Sequence, residues 1–112
     1  MELPFGLYAL KTVPKLYEYL GINVSFYAGD HQPIHVHGRS EGCETKAEIT
    51  IEDGEAIVRY VSAKKKPPLP PQKQKDFEKL VEHEAKNIVR IWNEFRETGI
   101  APAPQRITRR IR

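Results

Sequence analysis

The sequence predicts an α+β domain: a small antiparallel sheet of about four strands in a meander, packed by one long C-terminal helix. Three observations carry that prediction. Residues 22–61 hold short segments in which apolar and polar residues alternate, the two-residue period of half-buried strands. Turn chemistry separates those segments. Residues 72–98 then change to a helical period, with Phe77, Leu80/Val81, Ala85, Ile88, Ile91/Trp92 and Phe95 on one stripe.

Taken in order, residues 1–12 form an N-terminal extension with local apolar residues. "VPKLYEYLG" is expected to be a short helical lead-in closed by Gly21. "INVSFYA" alternates, with Ile22, Val24 and Phe26 on one face and Asn23, Ser25 and Tyr27 on the other. "GDHQP" supplies a turn, and "IHVHG" reads as the second strand with Val36 inward. "KAEITI" is the third strand, with Ala47, Ile49 and Ile51 inward. Asp53-Gly54 tolerates the positive backbone angles of a tight hairpin turn and leads into "EAIVRYV", the fourth. "KKKPPLPPQ" breaks the pattern and is expected to run extended across the surface. The helix that follows would be roughly 35 to 40 Å long at 1.5 Å per residue. It should bury Phe77, Val81, Ile88, Trp92 and Phe95, leave Glu82, Lys86 and Arg90 wet, and stop at Thr98-Gly99. Residues 13–98 thus make one domain, and 99–112 a proline-broken basic tail.

At 112 residues one domain with a modest core is expected. No apolar run approaches a membrane span, and "MELPFGLYALK" lacks the basic start and apolar stretch of a signal peptide. A cytoplasmic protein is expected. Cys43 is the single cysteine, which excludes an intrachain disulfide and any multi-cysteine zinc site. Eighteen basic against fifteen acidic residues give a net charge of only +3, but the charges are clustered. Lys64, Lys65 and Lys66 form one group, and Arg106, Arg109, Arg110 and Arg112 another. Such groups suit phosphate backbones or an acidic protein partner, and equally a solvated loop and a frayed end. Within the tail, Ile107 and Ile111 stand four apart. A single helical turn would align them for docking on a second subunit, a partner protein or a nucleic acid.

"YAGDHQPIHVHG" holds three of the four histidines, His31, His35 and His37, with Asp30 beside the first. On a strand His35 and His37 point to the same side, about 7 Å apart at the α-carbons, and His31 could fold back toward them across the turn at Pro33. Three readings stay open. Three imidazoles fill three positions of a catalytic site for a divalent metal such as zinc, with Asp30 a fourth ligand or a hydrogen-bond acceptor behind one of them. Alternatively, the imidazoles do general acid/base work without a metal or other cofactor, Asp30 orienting one ring. The third is a polar turn whose rings hydrogen-bond the backbone. Nucleophilic catalysis has little support. Glu41 and Glu44 flank Cys43 and would raise its thiol pKa, and Ser25 and Ser40 lie in no nucleophile elbow. His83, in "VEHEAKN", shares a solvent stripe with Asn87, Arg90 and Glu94.

"YLGINVSFYAGDHQPIHVHG", the "AEITIEDGEAI" hairpin and a late helix containing Trp92 together resemble a small bacterial family known as domain of unknown function 4160. The resemblance covers about residues 13–98. It rests on Asp30, His31, Pro33, His35 and His37, with His83 and Trp92 as counterparts on the helix. The family often has two prolines before the second histidine, where this chain has Pro33-Ile34, which would loosen the turn. Members often lie beside a small partner gene and are proposed as toxin–antitoxin components. The resemblance therefore implies a toxin-like component with a small cognate partner protein and RNA or DNA as target. Alternatives are a non-catalytic binding module, regulating transcription or docking a partner, and a metal-dependent hydrolase using the same histidines.

Overall fold

The computed structural model describes residues 14–26 and 33–112. Six strands and one helix follow in order. They are β1 (Lys15–Tyr19), β2 (Ile22–Phe26), β3 (Ile34–Ser40), β4 (Cys43–Glu52), β5 (Glu55–Ser62), α1 (Pro71–Thr98) and β6 (Gln105–Ile107). All six strands form one sheet in the order β5-β4-β3-β2-β1-β6. The first five make the expected antiparallel meander, and β6 adds to β1 in parallel.

Two elements correct the sequence reading. "KLYEY" is not a helical lead-in but β1, because Tyr17 and Tyr19 are both fully buried while Glu18 between them is not. That alternation is the strand period, and a register shift between Lys15 and Tyr17 also buries Leu16. The tail likewise forms no helical turn: Gln105, Arg106 and Ile107 pair with Tyr17, Glu18 and Tyr19. The sheet therefore has six strands rather than about four.

Three hairpins share one turn chemistry. Leu20-Gly21, Glu41-Gly42 and Asp53-Gly54 all have positive φ at both central residues, between 48° and 82°. Two-residue turns of this kind match the twist of the strands they join.

Helix α1 begins with Pro71 in its first turn, where a missing N–H costs nothing. It ends at Gly99, whose N–H donates to the Phe95 carbonyl at φ 73°. It buries the expected stripe, including Phe77, Val81, Ile88, Trp92 and Phe95, and leaves Glu82, Lys86 and Arg90 exposed. The stripe covers Ile22, Val24, Phe26, Val36, Ala47 and Ile49 on the inner face of the sheet. A β-carbon at Gly38 would lie 2.6 Å from the Phe77 ring, so Gly38 faces the helix. By alternation His35, His37 and Arg39 then project from the outer face.

Among the described residues, no helix is long and apolar enough to cross a membrane.

Candidate functional site

The outer face of β3 and β4 carries a cluster of ionisable groups. Glu41-Gly42 sets the β3–β4 register, placing Arg39 opposite Glu44, His37 opposite Lys46 and His35 opposite Glu48. Glu44 lies diagonally from His37, and its Oε2 is 2.5 Å from His37 Nδ1. Arg39 Nε donates to the other oxygen at 2.8 Å, and Lys66 Nζ lies 3.5 Å from it. The side chains of His37 and Glu44 are only 3% and 6% exposed, while those of Arg39 and Lys66 reach solvent.

Lys66 is brought there by the loop after β5. The Glu44 N–H donates to the Pro67 carbonyl at 2.8 Å, and the Leu69 N–H donates to Thr45 Oγ1 at 3.2 Å. Lys66 and His37, far apart in sequence, therefore meet at Glu44.

Burial pushes the His37 imidazole below its ordinary value. The Glu44 hydrogen bond and charge oppose this, and the Arg39 and Lys46 charges add to it. Burial also resists ionisation of Glu44. The hydrogen bonds from His37 and Arg39, with their charges, outweigh it and hold the carboxyl below the usual range. At neutral pH the pair is a neutral imidazole beside a carboxylate. Nδ1 must then carry the proton, which leaves the lone pair on Nε2.

His35 shares the face, as its spacing requires. Its Nε2 is 3.6 Å from Glu48 Oε2, and Arg59 Nη2 is 3.6 Å from Glu48 Oε1. The two rings differ in exposure: His37 is covered, whereas His35 remains about one-third exposed. Asp30 and His31 lie outside the described residues. Among the described residues, no group of three or more His, Cys, Asp and Glu side chains is placed to hold a metal.

The basic residues divide. Lys64, Lys65 and Lys66 are exposed on the turn that follows β5. Strand β6, which holds Arg106, is separated from β3 by both β2 and β1. Arg106 meets Glu18 at 3.1 Å, and Arg110 makes a two-pronged contact with Asp76 at 3.0 and 3.2 Å. Arg109 and Arg112 are exposed. His83 is exposed as expected and contacts Glu84 at 3.0 Å. Its neighbour Asn87 turns inward, donating to the buried Tyr17 hydroxyl at 3.0 Å, while that hydroxyl donates to Glu84. Burial raises the Tyr17 pKa, with Asn87 opposing and Glu84 reinforcing, so the hydroxyl keeps its proton.

Glu44 is the residue that sequence reasoning missed. Its signal was the Ser-Glu-Gly-Cys stretch: a two-residue turn there puts Glu44 on the face of His37.

The fold and site together define a small α+β domain with a polar outer sheet face built around a buried histidine–glutamate pair. The chain belongs to the family defined by the domain of unknown function DUF4160, whose model matches residues 21–93. No curated protein and no solved structure matches it.

Proposed function

We propose that this chain is a toxin-like component of a bacterial toxin–antitoxin type module, acting on RNA at the outer face of its sheet. His37 is the general base and Glu44 the carboxylate that orients it. Arg39 and Lys64–Lys66 face the phosphates. The observation that carries the reading is the 2.5 Å contact between His37 Nδ1 and Glu44, which fixes the tautomer and leaves Nε2 basic.

RNA suits such a site because it brings its own nucleophile. Nε2 would take the proton of a ribose 2′-hydroxyl, whose oxygen attacks the adjacent phosphorus. The leaving 5′-oxygen needs a proton in return, which His35 on the same face would give. The products are a cyclic phosphate and a 5′-hydroxyl end. The toxin-like assignment rests on the family resemblance rather than on chemistry.

The 3% exposure of the His37 side chain favours a second reading, in which the pair braces the β3–β4 hairpin and the face only binds.

Incubating a mixed-sequence RNA oligonucleotide with the protein in excess chelator separates the readings. The wild type should cleave, and His37→Ala should lose about 10²- to 10⁴-fold, the usual contribution of a general base. Glu44→Gln should fall in the same direction, with circular dichroism confirming that each variant folds. Binding without turnover, unchanged in His37→Ala, would establish the binding module instead. Turnover abolished by the chelator and restored by zinc would establish the metal-dependent hydrolase.

A further inference from the structure

Strand β5 ends the sheet on one side, and among the described residues nothing pairs with its outer edge. It is eight residues long, lacks proline, and pairs with β4 from Glu52↔Glu55 to Thr45↔Ser62 without a register shift. Long regular edges of this kind invite a further strand, and proteins usually blunt them. The opposite edge is blunted, since β6 has only three residues.

We propose that the β5 edge is an isologous interface at which two copies of this chain pair antiparallel about Ile57. The two-residue turn at Asp53-Gly54 is closed by the pair Glu52↔Glu55, so Glu55, Ile57 and Arg59 direct their backbone groups toward β4. Ala56 and Val58 therefore direct theirs outward. In a two-fold arrangement centred on Ile57, Ala56 of one copy lies opposite Val58 of the other, and their outward N–H and C=O groups meet. The side chains agree with that register. Ile57, 41% exposed, packs on its own symmetry mate. Glu55 faces Arg59 on either side, giving two ion pairs by symmetry.

Neighbouring registers fit less well. Centring on Val58 sets Ile57 against Arg59 and Glu55 against Val61. Centring on Arg59 sets two guanidinium groups face to face. Arg59 can reach across in the Ile57 register, because its side chain is 73% exposed and its ion pair with Glu48, at 3.6 Å, is longer than a hydrogen bond. The resulting sheet would carry both outer faces, and both His37–Glu44 pairs, on one side. The proposal does not depend on what those pairs do.

Sedimentation equilibrium of the full chain tests it, and a dimer is expected. Glu55→Arg and Arg59→Glu should each weaken association about tenfold, because the symmetry doubles every like-charge contact. The Glu55→Arg/Arg59→Glu double variant should recover most of the loss. In a Cys43→Ser background, Ile57→Cys should form an intermolecular disulfide on mild oxidation much faster than Arg59→Cys. A chain that stays monomeric at all concentrations overturns the proposal, even if a different protein adds to the β5 edge. So does a dimer indifferent to both charge variants, which would lie at another surface.

Discussion

The His37 imidazole and the Glu44 carboxylate respond to acid in the same direction. His37 titrates below 6.5 in the folded protein, because burial resists its charge. Between pH 6.5 and its folded value the unfolded chain therefore binds a proton that the folded chain does not, and stability falls as pH falls. Glu44 is held below 4.5, so its contribution is fully present above that pH and is lost as pH drops through its folded value. Urea unfolding from pH 7.5 to 5 should show the wild-type midpoint declining. The decline should be shallower in His37→Gln, which has no imidazole to protonate at that position. Parallel declines would mean that other groups carry the acid response. The period of a strand made His35 and His37 legible as partners on one face. Glu44 was not legible in that way: beside Cys43 it reads as an obstacle to thiol chemistry, and only the hairpin register turns it toward His37. The burial of His37 depends on what covers the outer face, which no local pattern records.

At the scale of elements, periodicity was most informative where it ran longest. The 28 residues of α1 repeat their apolar stripe often enough to fix both its face and its ends. β1 failed for the opposite reason. Its five residues are too few to separate a strand from a helical turn, and Leu16, Tyr17 and Tyr19 are all buried. Two substitutions test the helix–sheet contact. Trp92 is 3% exposed, and Trp92→Ala should cost about 3 to 5 kcal/mol in denaturant unfolding, the range for a large aromatic removed from a core. A loss below about 1 kcal/mol would show that the core closes without it. Gly38→Ala adds a single carbon, yet that carbon would sit 2.6 Å from the fully buried Phe77 ring, which also meets Tyr60 edge-on at 6.2 Å between ring centroids. Overpacking of this kind typically costs about 1 to 3 kcal/mol. An alanine tolerated at no cost would mean that α1 can lift away from β3.

On the scale of the whole molecule, the tail closes the fold rather than leaving it. Its basic composition and two prolines suggest a detached arm, and parallel pairing to a strand almost ninety residues earlier has no local signature. The contacts that hold it are specific. The Ile111 N–H donates to the Tyr19 hydroxyl at 2.7 Å, and Arg110 brackets Asp76, itself 4% exposed. Burial resists ionisation of Asp76, but hydrogen bonds from Arg110 and Gln72, together with the Arg110 charge, hold its carboxyl below the ordinary range. Arg106 and Glu18 form a more exposed pair that should contribute little. Deleting residues 105–112 removes the strand from β1 and leaves Asp76 without its arginine, so the thermal midpoint should drop. The cause can be isolated. In the full chain Asp76→Asn should destabilise, because the substitution gives up the charged contact with Arg110. In the truncated chain the same substitution should restore part of the loss, because a neutral amide needs no cation. If Asp76→Asn lowers the midpoint equally with and without the tail, Asp76 acts through other partners and Arg110 is not what anchors the tail.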